Sequence, residues 1–368
     1  MRLRSLFIDN LRNIAAARLQ PGPGLNLLHG DNGAGKTTVL EAMVVLAKGR
    51  SFRTGPIASL LGPEQPVFRV VADVETDEGN RHRVGIERSR EGWRGRLDGA
   101  DISQVTELSK LFPLILMEPT SLQLVSGAPE FRRRFLDWSV FHVKHGFLDV
   151  WRRYSRALRQ RNAALRGKQM EMARTLDPQL DRLAGDLQQQ RSEVFDRLRG
   201  LAEPIMQSLS PDLGDLELQL RPGWKGASLA DALADNMERD LEHGFTRDGP
   251  HRADLAFRLD GRAVRDRMSR GEQKILAAGL LLAQAQLFAS QHHQPLLLLD
   301  DLASEFDRHH LERVVGLTAR LGAQYFITGT SMAPYEGLLD SAVVFHVKQG
   351  MIIRETASSD DQEGPKSA

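Results

Sequence analysis

The sequence contains no cysteine. Without thiols there is no disulfide and no thiolate zinc site, and the absence fits a reducing compartment. An excess of one charge is lacking as well: 49 Lys and Arg stand against 48 Asp and Glu, a formal net charge of +1. Total charge therefore does not point to nucleic acid, and any basic surface must be local. Long hydrophobic runs are also missing. Met1 to Asn10 lacks the apolar stretch of a signal peptide. The most apolar helix candidate, Ile275 to Phe288, is too short for a bilayer and is interrupted by Gln284 and Gln286. There is no internal repeat, no base-reading motif and no Ser/His/Asp nucleophile set. What is present is a 368-residue chain, 41% hydrophobic, which is enough for one large domain or two ordinary ones. These features describe a soluble, cytoplasmic, globular protein with no membrane association.

Hydrophobic periodicity divides the chain into two kinds of segment. Period-two patterns predict strands at Leu3–Ile8, Leu25–Leu28, Val67–Glu75 and His82–Glu87, with Asp77-Glu78-Gly79-Asn80 as a turn. From about Pro129 the period becomes helical, with Phe147, Trp151, Tyr154, Leu158 and Leu165 on one face. A second stripe, Leu180, Leu183, Leu187, Val194, Leu198 and Leu201, is broken by Pro204 and Pro211. Two long antiparallel helices joined near Asp177-Pro178 are expected. Strands return at Ala253–Leu259, Leu296–Leu299, Tyr325–Thr328 and Ala342–His346. The expectation is a discontinuous α/β head, residues 1–118 and 245–357, with an inserted helical coiled-coil arm at 119–244 and a disordered tail at 358–368.

The most specific motif is Gly30-Asp31-Asn32-Gly33-Ala34-Gly35-Lys36-Thr37, followed by Thr38. It follows an apolar strand and opens a helical run, the context of a P-loop. Glycines let successive N–H groups and a helix N-terminus point at phosphates, Lys36 neutralises them, and the Thr37 hydroxyl can bind Mg²⁺. The competing reading is a glycine-rich turn that matches by chance. Leu296–Leu299 then ends in Asp300 and Asp301, the pattern of a Walker B strand that brings a carboxylate to the phosphates. Asp300 is the metal-binding candidate, and Asp301 is placed to orient or deprotonate an attacking water. Ser269-Arg270-Gly271-Glu272-Gln273 precedes an amphipathic helix, where Ser269 alone reads as an ordinary N-cap.

In the order P-loop, helical insertion, Ser269 segment, Walker B and Ser304-Glu305-Phe306-Asp307, these elements resemble an ABC/SMC-type, Rad50-like ATPase head with its signature and D-loop. Leu11-Arg12-Asn13-Ile14, Arg50-Ser51-Phe52-Arg53 and Thr246-Arg247-Asp248-Gly249-Pro250-His251-Arg252-Ala253-Asp254 narrow the resemblance, nearly end to end, to the RecF family. That resemblance implies ATP and Mg²⁺ as cofactors. It implies ATP contacts at Arg12, residues 30–38 and, from a second subunit, Ser269 and Gly271, within an ATP-dependent homodimer. It also implies a weak, DNA-stimulated ATPase that clamps duplex DNA at single-strand gaps. Cooperation with RecR and RecO in loading the RecA recombinase is implied too, in gap repair, fork rescue and the SOS response. Departures from the general ABC pattern are visible: Met268 and Arg270 replace Leu and Gly, Asp301 replaces the usual Glu, and Phe326-Ile327-Thr328-Gly329-Thr330 has no switch histidine. Slow hydrolysis is expected. Met117-Glu118-Pro119 occupies the Q-loop stretch, with Gln123 several residues further on.

One region breaks the charge balance. Between Glu130 and Lys168 there are eleven Lys and Arg against three Asp and Glu. Arg132, Arg133 and Arg134 precede the arm, and Arg152, Arg156 and Arg159 share a helical face. As a group they are candidate phosphate contacts, sequence-independent and salt-sensitive; the alternative is a solvated flank or ion pairing with a partner helix. Trp138 and Trp151 read as packing residues, and His292 and His293 as a surface loop. A transporter motor and a structural SMC-like bridge are the rival functions, and neither explains Gly249 to Arg252.

Overall fold

The leucine-rich runs at Leu25 and Leu296 become the buried centre of a parallel sheet. A computed structural model describes residues 1–53, 60–61, 66–291, 293–339 and 341–355. The expected tail at 358–368 and His292 lie outside the described residues. The chain divides into two units: Met1–Leu114 with Leu296–Ser304 and everything from Gly322 on, and Ile115–Pro295 with Glu305–Leu321.

The first unit opens with β1 (Arg2–Leu11), β2 (Ile14–Leu19), β3 (Leu25–His29) and α1 (Lys36–Lys48). It continues with β4 (Val67–Glu75), β5 (Arg81–Ser89), β6 (Trp93–Leu97), β7 (Ala100–Ile102) and α2 (Val105–Leu111). Strand β8 (Leu114–Met117) begins at its boundary. Strands β2-β1-β4-β5-β6-β7 form an antiparallel, six-stranded sheet. One face of it is buried through Leu3, Leu6, Ile8, Phe68, Val70, Ala72, Val84 and Ile86, as the period-two pattern requires.

The other sheet of this unit contains β3, which lies parallel between two strands from the far end of the chain. These are β13 (Gln324–Gly329) on one side and β14 (Val343–Lys348) on the other. Outside them lie β12 (Leu296–Leu299) and the antiparallel β15 (Met351–Arg354). Leu296 to Leu299 are all buried, and each contributes roughly 1.5–3 kcal/mol of apolar burial. Gln324 fastens this sheet to β1: its Oε1 accepts from Leu3 N at 2.7 Å, and its Nε2 donates to Leu3 O at 3.0 Å and Gly22 O at 2.6 Å.

In the second unit the helical stripes form α3 (Gln123–Ser126), α4 (Pro129–Val143), α5 (Phe147–Arg166) and α6 (Met170–Leu209). The junction expected at Asp177-Pro178 lies instead at residues 167–169, and α6 runs 40 residues, about 60 Å, through both Pro178 and Pro204. An interior proline costs about 3 kcal/mol. Packing outweighs this here: Ala173, Leu180, Leu183, Leu187, Val194 and Leu198 are fully buried, and Asp177 accepts from Arg161 Nε at 2.7 Å. Antiparallel packing of α5 and α6 is visible in their cross-pairs, Arg161 with Asp177 and Trp151 under the Arg191 guanidinium at 5.5 Å.

The strand expected at Ala253–Leu259 is β10 (Asp254–Leu259), which lies in a separate sheet with β9 (Leu216–Arg221) and β11 (Arg262–Ala263). Short helices α7 (Leu229–Asp235), α8 (Met237–His243) and α9 (Val264–Arg267) precede the long α10 (Arg270–Ala289). Beyond β12, α11 (Leu302–Glu305) leads to α12 (Arg308–Arg320), capped by Asp307, whose carboxylate accepts from His310 N at 2.9 Å. Among the described residues no helix is long and apolar enough to cross a membrane.

Candidate nucleotide site

The loop from Gly30 to Gly35 joins β3 to α1, so the N-terminal amides of a well-buried helix face whatever the loop encloses. Its shape needs glycine at the start. Gly30 has φ +146°, and a Cβ there would lie 2.1 Å from Val347 O on β14. Lys36 is buried, and its ammonium donates to Gly30 O at 2.6 Å and Asp31 O at 2.9 Å, curling back over the loop. Burial pulls the Lys36 pKa down, while Asp301, Asp300 and Asp31 oppose that shift. An arriving phosphate offers this ammonium a charged acceptor in place of two carbonyls.

The β1–β2 turn braces the loop from the side. Asn13 Nδ2 donates to Gly33 O at 2.8 Å, and its Oδ1 accepts from Thr38 Oγ1 at 3.1 Å. Arg12, with φ +52°, sends Nε and Nη2 to both carboxylate oxygens of Glu41 on α1, which is fully buried and also accepts from Ser51 Oγ. The β14–β15 turn closes the other side, with Gly350 N donating to Ala34 O at 2.8 Å.

At the end of β12 the carboxylates are held in different ways. Asp300 Oδ1 accepts from Thr37 Oγ1 at 3.0 Å and from Thr328 Oγ1 at 2.7 Å. Burial raises the Asp300 pKa, and those two hydrogen bonds work against the rise. Asp301 adopts the left-handed region at φ +53°, which aspartate, like asparagine, enters more readily than most residues other than glycine. Its N–H donates to Thr328 Oγ1 at 2.9 Å, and its Oδ2 accepts from Ser304 Oγ at 2.9 Å. The two carboxylates thus have different partners, Thr37 and Thr328 for Asp300 and Ser304 for Asp301. Tyr335, buried, donates to Thr328 O at 3.3 Å, and burial pushes its pKa up to about 12.

Thr37 Oγ1 and Asp300 Oδ1, converging as oxygen donors, are chemically suited to a hard divalent cation that keeps most of its waters. Among the described residues no group of three or more His, Cys, Asp or Glu side chains forms a metal cluster. That is compatible with a cation shared between one carboxylate, one hydroxyl and phosphate oxygens.

Ser269 caps α10 with a complete capping box. Its Oγ accepts from Glu272 N at 3.3 Å, and Glu272 Oε2 accepts from Ser269 N at 2.7 Å. Ser269, Arg270 and Gly271 are exposed, and the first-turn amides of Arg270 and Gly271 have no intrahelical acceptor to reach. Behind them α10 is buried almost all round, and Gln284 Nε2 donates to Phe135 O at 3.0 Å and Ser139 Oγ at 2.7 Å. The exposed Gln123 opens α3.

The arginine candidates separate in space. Arg132 is buried and grips Asp254 with Nε at 2.7 Å and Nη2 at 3.2 Å. Arg133 donates to Ala253 O at 2.9 Å, and Arg134 pairs with Glu130 on the surface. Arg152, Arg156 and Arg159 are exposed along α5, with Asp149 3.9 Å from Arg152. Thr328, which ties the two aspartates together, was not among the residues singled out by sequence. Its position at the end of the strand next to Walker B is the signal that marks it.

A P-loop, a Walker B carboxylate and a capped signature helix on this fold define a nucleotide-binding head of the ABC/SMC type. The family model described as "RecF/RecN/SMC N terminal domain" matches residues 2–353. A protein of Xanthomonas euvesicatoria pv. vesicatoria (strain 85-10), named "DNA replication and repair protein RecF", is 42% identical over 97% of this chain and 100% of its own. One of the same name from Thioalkalivibrio sulfidiphilus (strain HL-EbGR7) is 39% identical over 96% of this chain and 99% of its own. The solved "recombination mediator protein RecF-ATP in RecFOR pathway" superposes with a TM-score of 0.85 at 24% identity, covering 96% of this chain and 97% of that one. The Smc head bound to the C-winged helix domain of ScpA gives 0.61 at 13%, covering 97% and 98%. The chain belongs to the RecF family of ABC/SMC-type ATPases.

Proposed function

We propose that this protein acts in DNA replication and repair as an ATP-dependent clamp. It dimerises on ATP, holds duplex DNA at single-strand gaps, and helps load the RecA recombinase together with RecR and RecO. The observation that carries this reading is the convergence of Lys36, Thr37 and Asp300 beneath the helix α1 N-terminus. ATP enters the cradle of Gly30 to Thr38, beside the Arg12–Glu41 pair. Lys36 leaves its two carbonyls for the β- and γ-phosphates, and Thr37 and Asp300 hold Mg²⁺, which neutralises phosphate charge. Ser269 and Gly271 of a second copy close on the γ-phosphate, because an exposed helix N-terminus with a hydroxyl favours an anion. Asp301 orients the attacking water, and hydrolysis resets the clamp.

DNA lies on the exposed arginines, Arg134, Arg152, Arg156 and Arg159, through phosphates and without base identity. In the domain organisation proposed with this function, an ATPase head of residues 1–118 and 245–357 carries an arm at 119–244. The test is fluorescence anisotropy of labelled duplex, single-stranded and gapped DNA, with and without ATP, for the protein and for Lys36→Met. The proposal expects tight binding to require ATP and Lys36 and to favour DNA containing duplex. Binding indifferent to ATP overturns it.

A further inference from the structure

The segment from Phe245 to Arg252 is held from below by buried polar groups and carries its remaining chemistry outward. Thr246 donates through both N and Oγ1 to Asn162 Oδ1 on α5, at 2.8 and 2.7 Å. The fully buried Arg161 reaches Thr246 Oγ1 at 2.9 Å and Asp240 Oδ2 at 2.7 Å. His251 Nε2 faces Thr246 O at 3.1 Å and its Nδ1 faces Tyr154 Oη at 2.8 Å, so the ring donates to the carbonyl and accepts from the phenol. Arg191, also buried, donates to Pro250 O at 2.8 Å and pairs with Asp137. Gly249, at φ +138°, leaves room for Tyr154, whose Oη would lie 2.4 Å from any Cβ there. Just beyond the segment, Arg133 and Arg132 of α4 hold Ala253 O and Asp254. The segment therefore bridges the two arginine groups, of α4 and of α5.

Its outward side is aromatic and cationic. Phe245 is 39% exposed, with the Arg252 guanidinium 5.7 Å from its ring centroid and the His243 ring against its edge at 5.8 Å. Arg247 and Arg252 are exposed, and among the described residues neither side chain meets a carboxylate. Asp248, the carboxylate of this segment, accepts from Asn236 Nδ2 at 2.9 Å. On α5, Arg152, Arg156, Arg159 and Arg166 recur at three-, four- and seven-residue steps on one face, away from buried Tyr154 and Arg161. The side chain of Arg166 lies against Gly244, the residue before the segment, its Cγ 3.0 Å from the position a Cβ would take there. A line of cations along a helix, ending beside an exposed phenyl ring backed by a guanidinium, matches a nucleic-acid strand whose last paired nucleotide is followed by an unpaired base.

We infer that Phe245, backed by Arg252, is a stacking platform for an unpaired base at the edge of duplex DNA, with Arg166 and Arg247 holding the adjoining phosphates. This rests on the DNA-binding reading above and names the place where a gap is distinguished from continuous duplex. The test is anisotropy with ATP on gapped and on fully paired DNA for the full-length protein, Phe245→Ala, Phe245→Tyr and Arg252→Ala. A second gapped DNA carries 2-aminopurine as its first unpaired base. Phe245→Ala is expected to weaken gapped-DNA binding about tenfold and duplex binding far less, with Phe245→Tyr restoring it. Quenching of 2-aminopurine should disappear with Phe245→Ala and return with Phe245→Tyr. Equal losses on both DNAs, or no loss and unchanged quenching, overturn the platform while leaving the clamp intact. If the unaltered protein binds neither DNA with ATP, the clamp reading fails together with it.

Discussion

Thr328 Oγ1 donates to Asp300 Oδ1 across 2.7 Å, and the same oxygen accepts the N–H of the next residue, Asp301, across 2.9 Å. One hydroxyl at the end of β13 thus fixes the direction of the first Walker B carboxylate and the left-handed backbone of the second. The hydroxyl that orients both acids carries no titrating group.

Replacing Thr328 by valine keeps the shape and removes both hydrogen bonds. ATP hydrolysis should fall by roughly 10- to 100-fold, since about 1–3 kcal/mol of positioning is lost, with a much smaller change in ATP affinity. Thr328→Ser should recover most of the rate. Steady-state phosphate release alongside nucleotide titration separates the two effects; a matching loss in binding would assign Thr328 a merely structural part.

Ser269→Ala removes the exposed hydroxyl and one cap. The cap costs about 1 kcal/mol of stability, which thermal unfolding will register. If the signature acts across a dimer interface, the variant binds ATP as a monomer, and light scattering with ATP will show no dimer. A variant that still dimerises normally sinks the reading in which Ser269 serves a second subunit.

Asp301→Asn keeps the side-chain size and its contact with Ser304 while removing the charge. The expected result is an ATP-bound dimer that stays on DNA, seen as a dissociation rate at least about tenfold slower after challenge with competitor DNA. Dissociation at the ordinary rate would remove Asp301 from the hydrolytic step.

His251 gives the fold an acid limit. Burial holds its pKa near 4, below the ordinary value of 6.5. The unfolded chain takes up a proton below about 6.5 that the folded chain refuses, so stability is full above that pH and falls as pH drops towards 4. The loss amounts to about 3 kcal/mol at most. Urea unfolding at pH 7 and pH 5 should show a smaller difference in His251→Gln than in the unaltered protein.

Much of the nucleotide site was legible in the sequence because phosphate chemistry dictates residue spacing. Gly30, Lys36, Thr37, Asp300 and Ser269 stand on the loop, strand end and helix N-terminus that their patterns required. Thr328 was named only within a stretch lacking a switch histidine and given no role, because a threonine ending a buried strand has no spacing of its own; only the adjacency of β13 and β12 gives it meaning. Proline misled at α6, where buried Ala173 before Pro178 and buried Leu180, Leu183 and Leu187 after it carry the helix through. Counting arginines blurred two populations. Arg132 and Arg161, both within the counted stretch, meet carboxylates 122 and 79 residues away, separations that no local pattern reveals. The exposed face of α5 was readable, since helical spacing alone collects Arg152, Arg156 and Arg159.

The position of β3 sets an order of events during synthesis. Its two neighbours, β13 and β14, emerge from the ribosome some three hundred residues after it, and the Gly350 amide that seals Ala34 comes later still. A nascent chain carries its phosphate loop unfinished until nearly the whole polypeptide has been made. Such long-range closure folds slowly and leaves a leucine-rich strand waiting for partners, so the phosphate loop becomes competent only late and its strand is exposed to mispairing until then.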